Sequence, residues 1–458
     1  MITSPSHHRL VRDHCLAPSR AVDAPVEGAS GKYGRMFPEL APLEADDDLF
    51  VRLGARDGPC DGGLELTAEG GEDARVAAGW PLFGQFVAHD ITADRSLLLH
   101  HGDPEHLANF RSPRANLECL YGAGPGGHPF LYDRGDPAKL LIGLNDAGEP
   151  ADLPRNRQGV ALIGDPRNDV HVFVSQLHVA MCKAHNGLVD RLREDGEPEA
   201  ELFEAARRAA TWHYQWVILN DYLPVVAGAE LAAELLERGP RWYRPGDRPE
   251  IPLEFADGAF RYGHSQIRRA YRLQDGGPAY PLFPDLLGFR PVPAARRVDW
   301  AQLFDLPGRP APQASKRIDG RLARSLIELP AAITGEVAEA EHSLAVRDLM
   351  RGQAYGLPAG EAVARAMGVE PLRPDQTELA ALGWEGTPLW YYVLKEAEHR
   401  ADGDRLGPVG GRIVAEVLLG IVDADPESYR AVDPGWRPTL PSAEPGRFTA
   451  GDLLAFAG

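Results

Sequence analysis

The chain has 458 residues, of which 44% are hydrophobic and 25% charged, and its formal net charge is −19. This is ordinary globular usage, with enough apolar residues for a sizeable core. The excess of acidic groups disfavours binding to nucleic acid and to anionic lipid surfaces, because both carry negative charge.

The cysteines and the N-terminus favour a soluble, cytoplasmic protein. The four cysteines are scattered without C-x-x-C pairs, so neither a zinc knuckle nor a disulfide framework is indicated. The N-terminus lacks the apolar run of a signal peptide, and the sequence lacks an apolar run long enough for a transmembrane helix, although export by another route stays open. Residues 1–35 are polar and predict a flexible N-terminal arm, followed by a single domain over residues 36–458.

A buried helix is predicted from about Val76 through the stretch WPLFGQFVAHDITADR, residues 80–95. Gln85 and His89 are four positions apart and therefore share one face, about 6 Å apart along the axis. The remaining side chains are largely apolar, as in a core helix, where a polar pair must be hydrogen-bonded or used for chemistry. From this stretch alone, a core histidine bonded to Gln85 is as good an interpretation as a functional site.

The next segment, residues 109–122, is a loop interrupted by proline. Ser112, Asn116 and Glu118 offer oxygen atoms at alternate even positions, as an extended segment around a hard cation would. An ordinary solvated loop explains the same residues equally well. The GAGPGG run at 122–127 lacks the Lys-Ser/Thr ending of a phosphate-binding loop and predicts a turn.

Arg167 lies in the turn GDPRND, directly before a helix predicted over residues 170–193. His171, His178 and His185 recur in that helix every seven residues. Two helical turns separate neighbours by about 10.5 Å, which is too far for one metal ion. We therefore interpret the three histidines as a structural stripe.

The rest of the chain adds helices and one more basic site. A helix is predicted over 200–223, ended by Pro224. In FADGAFRYGHSQIRRAYRL, His264 has apolar neighbours and Arg261 lies about one helical turn before it. Strand-like alternation is almost absent, so the sequence predicts a mainly α fold with long loops, which usually serve a site or a cofactor. Further helices are predicted at 341–351, 358–367, 388–399, 410–420 and 448–456.

His89, Arg167 and His264 are isolated basic groups in apolar or turn settings. The chain lacks the G-x-S-x-G elbow of serine hydrolases, the H-E-x-x-H motif of zinc proteases, and a G-x-G-x-x-G motif after a strand. Two histidines with unlike roles on either side of a flat cofactor fit a haem site, in which one imidazole binds iron and the other faces the open coordination position.

At this point the sequence resembles the animal-type haem peroxidase superfamily, particularly its bacterial members, over nearly its whole length from residue 31. The order and spacing of several motifs together carry the resemblance. These motifs are GQFVAHD, GDPRND with the helix to AHNGLVDRL, FRYGHSQIR, VRDLMRGQAYGLPAG and GPVGGRIVAEV.

The resemblance implies a role for each basic residue. His89 would be the distal base with Gln85 beside it, Arg167 the distal cation, and His264 the proximal ligand of the haem iron. Arg261 matches the arginine that the family has three residues before that ligand.

The resemblance also implies two further sets of residues. Asp90 matches a calcium-ligand position, which the loop would complete with Ser112, Arg114 (through its carbonyl), Asn116 and Glu118. Counting from the GLP turn places Glu361 at the position of the proximal partner of His264, where an amide is more usual; a solvent-facing carboxylate at a helix start is the alternative.

The residues Ala88 and Val170 stand where several family members attach haem through carboxylates. Neither can form an ester, so we expect haem b to bind non-covalently, with a single bond through Asp169 as a minor alternative. The family implies a peroxidase that reduces hydrogen peroxide through a ferryl intermediate and oxidises a small organic or halide donor, with a monomer expected.

Two other functions stay open at this point. Fatty-acid oxygenases on the same fold carry a radical-forming tyrosine three residues before the proximal ligand, where this chain has Arg261, which favours a peroxidase. A non-catalytic haem-binding protein has no need for three buried basic groups.

Overall fold

The computed structural model describes residues 31–63, 73–93, 108–246, 249–335 and 337–458. Helices dominate this part of the chain, which confirms the prediction of a mainly α fold. The helices, numbered in chain order, are α1 Asp47–Gly54, α2 Gly79–Ile91, α3 Glu118–Tyr121, α4 Gly124–Gly127, α5 Val172–Glu194, α6 Leu202–Val217, α7 Leu223–Ala227, α8 Ala229–Arg238, α9 Arg324–Ile327, α10 Ala331–Thr334, α11 Leu344–Ala354, α12 Gly360–Ala366, α13 Pro374–Thr377, α14 Leu389–Ala401, α15 Pro408–Asp423, α16 Tyr429–Val432 and α17 Ala450–Ala457.

The strands are short and form small separate sheets. They are β1 Gly31–Gly34, β2 Asp73–Ala77, β3 Ala108–Asn109, β4 Gly143–Leu144, β5 Pro150–Asp152, β6 Ile251–Pro252, β7 Ala270–Arg272, β8 Ala279–Pro281 and β9 Ala314–Lys316. Strand β1 pairs antiparallel with β3 and parallel with β6, and the other sheets pair β2 with β9, β4 with β5, and β7 with β8.

The prediction of a flexible N-terminal arm over residues 1–35 is wrong for its last few residues. Residues 31–34 form β1, and the Tyr33 side chain is buried against the core. An aromatic residue that removes its ring from water fixes the strand to the domain. Residues 1–30 of the predicted arm lie outside the described residues.

The predicted central helix is α2. It starts at Gly79 rather than near Val76, because Val76 belongs to the strand β2. Phe86, Val87 and Ile91 are fully buried. The helix packs against α5 and against a 3-10 segment, Ala259–Gln266, so it lies between the two parts of the chain that carry the other predicted site residues.

The predicted helix over 170–193 is confirmed as α5. The one predicted over 200–223 is three connected pieces: α6, a wide π-helical turn at Ile218–Tyr222, and α7. Pro224 does not end the helix, because it lies in the first turn of α7, where a proline needs no N–H partner. The π-helical turn places Tyr222 against α2, and such turns are frequent at functional sites.

Helix α14 packs against helix α15. The buried carboxylate of Glu396 on α14 accepts hydrogen bonds from the backbone N–H groups of Val409 and Gly410 in the first turn of α15. These donors have no partner within their own helix, so Glu396 caps α15 from outside it. Within the described residues, no helix is both long and apolar enough to cross a membrane.

Candidate active site

The predicted site residues of α2 and of the segment Ala259–Gln266 meet at one cavity. Gln85 and His89 line it from α2, and His264 and Arg261 line it from the 3-10 segment, together with Arg167. The cavity encloses about 1080 Å³ including its open mouth. Much of the rest of its wall is apolar, so polar groups at a few points would orient whatever binds there.

His89 is held by an amide that sequence reasoning did not identify. Its Nδ1 atom lies 2.8 Å from Oδ1 of Asn168, and both side chains are buried. Since an amide oxygen can only accept, Nδ1 of His89 carries the hydrogen and Nε2 keeps its lone pair. A neutral imidazole in this tautomer can take up a proton at Nε2.

The orientation of the Asn168 amide is fixed by a second histidine. Nδ2 of Asn168 donates to Nδ1 of His178, 3.1 Å away. Burial lowers the pKa of His178 to about 4, so its ring stays neutral and can accept this hydrogen bond. Asn168 therefore connects a neutral acceptor on α5 to the ring of His89.

Gln85 is oriented in a comparable way by His171. The backbone N–H of Val174 donates to Nδ1 of His171, which caps α5, so Nε2 of that ring carries the hydrogen. Nε2 lies 2.8 Å from Oε1 of Gln85 and donates to it. The amide NH₂ is then the donor end of Gln85, which lines the cavity.

His171 and His178 thus contact site residues, so the interpretation of the three histidines as a structural stripe is wrong for two of them. His185 keeps a structural role, since its ring bonds the hydroxyl of Tyr121 and donates to the carbonyl of Ala138.

Arg167 is buried and tied to several acceptors. Nε and Nη2 donate to the two carboxylate oxygens of Asp165, and Nη2 also donates to the carbonyls of His89 and Thr92. Burial alone would raise the pKa of Asp165, but Arg167 and Arg111 hold it well below its usual range. Among the described residues, Nη1 of Arg167 makes no hydrogen bond, so one end of the guanidinium is available to the cavity.

His264 is paired with a carboxylate that the sequence did not single out. Nδ1 of His264 donates to Oδ2 of Asp348 on α11 at 2.6 Å, and Arg261 donates to Oδ1 of the same group at 2.9 Å. Arg261 also donates to Asp257, to which Arg351 donates as well. With its hydrogen on Nδ1, the His264 ring has a lone pair on Nε2 for a metal.

The prediction that Glu361 is the partner of His264 is wrong. The Glu361 carboxylate accepts hydrogen bonds from the backbone N–H and the hydroxyl of Thr387, at 3.0 and 2.6 Å. It therefore ties the start of α12 to the segment before α14. The motif VRDLMRG contained the signal, because Asp348 stands in it, one helical turn before Arg351.

Three of the side chains predicted to bind calcium, those of Asp90, Asn116 and Glu118, have other partners. The Asp90 carboxylate accepts from the backbone N–H groups of Leu117 and Cys119, and Glu118 accepts from Arg111 and from the N–H of Ser112. The Asn116 side chain accepts from the N–H of Glu118. The Arg114 guanidinium pairs with Asp425, which does not involve the carbonyl that was predicted as a ligand.

Hydrogen-bond donors directed at these oxygen atoms repel a cation, and the Arg111 guanidinium already supplies positive charge beside Asp165 and Glu118. No group of three or more His, Cys, Asp or Glu side chains suited to a metal occurs among the described residues. In this arrangement the carboxylates of Asp90 and Glu118 already accept hydrogen bonds from groups of the protein itself.

The sequence has relatives of known family. Residues 131–371, more than half of the chain, match the sequence model of the family described as animal haem peroxidase. The chain belongs to the animal haem peroxidase family. It is 22% identical to chorion peroxidase of Aedes aegypti over 83% of this chain, but spans only 56% of that relative.

Solved structures of this fold include both peroxidases and oxygenases. Peroxidase A of Dictyostelium discoideum superposes with a TM-score of 0.63 at 15% identity, covering 88% of this chain and 89% of that one. Fatty acid alpha-dioxygenase of Oryza sativa gives a TM-score of 0.60 at 17% identity, covering 90% and 76%. At these identities the likeness shows the fold alone.

The residues present fit the haem that the family implies. A large cavity with an apolar wall contains two imidazoles, and each donates its Nδ1 hydrogen to a side-chain oxygen. Among the described residues that line it, none has a carboxylate, and Ala88 and Val170 are part of the wall.

Proposed function

We propose that this animal haem peroxidase family member reduces hydrogen peroxide with electrons from an organic or halide donor. One observation carries the proposal: His89 and His264 line the same cavity with unlike partners, an amide for His89 and a carboxylate for His264. An amide leaves a histidine neutral and basic at Nε2, whereas a carboxylate strengthens a histidine as a metal ligand.

When bound, haem would supply an iron that coordinates peroxide and exchanges electrons. His264 would hold this iron through Nε2, and Asp348 would fix its ring orientation. With Ala88 and Val170 in the wall of the cavity, we propose that haem b binds non-covalently. Acid-acetone extraction should therefore leave the polypeptide colourless.

His89 would act on peroxide as a base and then as an acid. Its Nε2 would take the proton from one peroxide oxygen and return it to the oxygen that leaves as water. The hydrogen bond to Asn168 keeps the ring in the tautomer that can do both.

Arg167 and Gln85 would orient the peroxide and stabilise charge on it. The guanidinium stays protonated, and the Asp165 carboxylate holds it in place before peroxide arrives. Nη1 of Arg167 and the amide NH₂ of Gln85 are the donors directed to negative charge that develops when the O–O bond breaks.

The test is a spectrum of haem-loaded protein with peroxide. We expect the Soret band to shift on one equivalent of hydrogen peroxide and to return when a phenol is added. His89→Ala should slow the shift by roughly 10²- to 10⁴-fold, whereas His399→Ala, which changes an exposed histidine, should not. A haem band indifferent to peroxide would contradict the proposal and favour a binding protein.

A fatty-acid oxygenase is the second candidate, since part of the cavity wall is formed by Leu326, Leu329 and Ile333. Tyr262 is the tyrosine nearest to His264 in sequence, but its hydroxyl is hydrogen-bonded to that of Tyr222. Oxygen uptake with a long-chain fatty acid and without peroxide would favour this candidate over a peroxidase.

A further inference from the structure

A short series of aromatic rings leads from the cavity to a separate recess. Tyr222 lines the cavity, and its ring centroid lies 5.8 Å from that of Trp80. Trp80 in turn lines a recess formed by the segment around Phe304 and the C-terminal region around Thr449. Among the described residues, the recess and the cavity share no lining residue. Trp80, whose relative exposure is 8%, is therefore one ring away from the cavity and lies in the wall of a separate recess.

The contact between Tyr222 and α2 is unusually close. A Cβ atom at Gly84 would lie 2.4 Å from the Tyr222 hydroxyl oxygen, so this phenol occupies the space that any side chain at position 84 would take. The fully buried Tyr222 ring therefore lies directly against the helix that carries Gln85 and His89. Trp80, at the start of the same helix, extends the aromatic contact outward.

The recess carries charge that would stabilise a cation at Trp80. Its wall contains four carboxylates and one guanidinium, from Asp221, Asp305, Glu444, Asp452 and Arg447. In a partly buried setting, nearby negative charge lowers the free energy of an oxidised, positively charged indole. A tryptophan can lose an electron and keep its N–H proton, so no base is required.

Tyr222 is less suited to hold the positive charge. A phenol that loses an electron must also lose its proton, and the Tyr222 hydroxyl is hydrogen-bonded to the hydroxyl of Tyr262, 3.0 Å away, which is a weak base. Its ring can nevertheless couple Trp80 electronically to the cavity. Of the two rings, Trp80 is therefore the better site for a positive charge, and Tyr222 is suited to connect it to the cavity.

We propose that Trp80 is a second electron-donation site, serving phenols or aryl amines that are too large to enter the cavity. This inference rests on the proposed peroxidase function, which supplies the oxidised cofactor. One electron passes from Trp80 across Tyr222 to that cofactor, and the donor in the recess then returns one electron to Trp80 and releases one proton to water. Two donor molecules are oxidised for each peroxide reduced to two waters, and Trp80 ends unchanged.

The test compares a small phenol with the same phenol coupled to a soluble dextran, using haem-loaded protein and peroxide. Trp80→Phe should slow oxidation of the dextran-bound phenol at least about tenfold and leave that of the free phenol within about twofold. Trp384→Phe is the matched control, because Trp384 is a buried indole that packs against Phe50, away from both openings. It should leave both rates unchanged.

A second readout does not depend on turnover. With peroxide and no donor, peptide mass spectrometry of the wild type should find oxidation at Trp80 and not at Trp384. Equal rates with dextran-bound phenol in wild type and Trp80→Phe, or unmodified Trp80 after peroxide, would overturn the inference. If the wild type oxidises the free phenol but not the dextran-bound phenol, the second site is overturned and the peroxidase function stands. If the wild type oxidises neither phenol, the peroxidase function is overturned together with the second site.

Discussion

The Asn168 side chain joins His89 to His178, accepting from Nδ1 of the first ring at 2.8 Å and donating to Nδ1 of the second at 3.1 Å. A side chain that acts as acceptor and donor at once determines the tautomer of both histidines. The proton chemistry proposed for His89 therefore depends on a residue adjacent to Arg167 in sequence that need not touch peroxide itself.

Replacement of Asn168 by leucine should slow the reaction with peroxide by roughly 10- to 100-fold, the usual cost of losing an orienting partner. Leucine keeps the volume but cannot accept the Nδ1 hydrogen, so the His89 ring can adopt the other tautomer. The measurement is the stopped-flow rate of the Soret shift of haem-loaded protein.

Asn168→Asp is the control, because it keeps an acceptor for His89 and loses only the donor to His178. It should retain more of the rate than Asn168→Leu. A leucine variant as fast as wild type would show that His89 does not depend on this hydrogen bond.

Replacement of Asp348 by asparagine should weaken haem binding by roughly 10- to 100-fold and make the haem midpoint potential less negative. A carboxylate that accepts the Nδ1 hydrogen makes His264 a stronger donor to iron, which favours the ferric state. Haem titration and spectroelectrochemistry measure the two effects.

Glu361→Gln is the matched control, since Glu361 bonds Thr387 and not His264. It should leave the midpoint potential unchanged. A midpoint potential that changes in Glu361→Gln and is unchanged in Asp348→Asn would show that Glu361, and not Asp348, is the partner of His264.

Asp348 and Glu361 show which parts of the site could be predicted from the sequence and which could not. Helical patterns with almost no strand-like alternation predicted the mainly α fold class. The three isolated basic groups predicted a common site, and the cavity brings these groups together. Counting along the chain chose Glu361, yet the partner of His264 lies 84 positions away in α11, and only the packing of that helix brings it within 2.6 Å.

The histidine stripe and the calcium loop show a related limit of sequence patterns. A period of seven correctly relates the N-cap of α5, His171, to His178 and His185 within the helix, but it does not say that the cavity lies beside the first of them. In the loop, the same oxygen atoms can bind an ion or accept N–H donors, and the choice depends on Arg111, whose contacts come from the fold.

Removal of calcium should leave the stability unchanged. Because backbone N–H groups already satisfy the Asp90 carboxylate, the folded state gains nothing from an ion there. The melting temperature should differ by less than about 1 °C between EGTA and millimolar calcium. Bound calcium in metal analysis of the purified protein, or a melting temperature lowered by several degrees in EGTA, would contradict this.

The stability of the same loop should depend strongly on the Arg111 guanidinium. Arg111→Met would leave the buried Asp165 carboxylate with Arg167 as its remaining guanidinium partner and should lower the free energy of unfolding by roughly 3–5 kcal/mol. Urea denaturation of Arg111→Met beside wild type measures this loss, and an equally stable variant would show that the ion pair does not hold the loop.

The stability of the protein should fall as pH rises through the range in which Glu396 ionises. Burial raises the pKa of this carboxyl to about 7, against which the N–H groups of Gly410 and Val409 act only in part. An unfolded glutamate titrates at about 4.3, so between that pH and about 7 the folded state binds more protons than the unfolded state, and the free energy of unfolding decreases with pH. The contribution is at most about 4 kcal/mol.

Glu396→Gln keeps an oxygen acceptor for the first turn of α15 and cannot ionise, so its unfolding free energy should lose this part of the pH dependence. Urea denaturation at pH 5 and pH 8 gives the comparison. Glu398→Gln, a change of a more exposed carboxylate on the same helix, should keep the wild-type slope. If Glu396→Gln and wild type lose the same free energy between the two pH values, the decline belongs to other carboxyls whose pKa burial raises to about 6, such as Asp169 and Asp221.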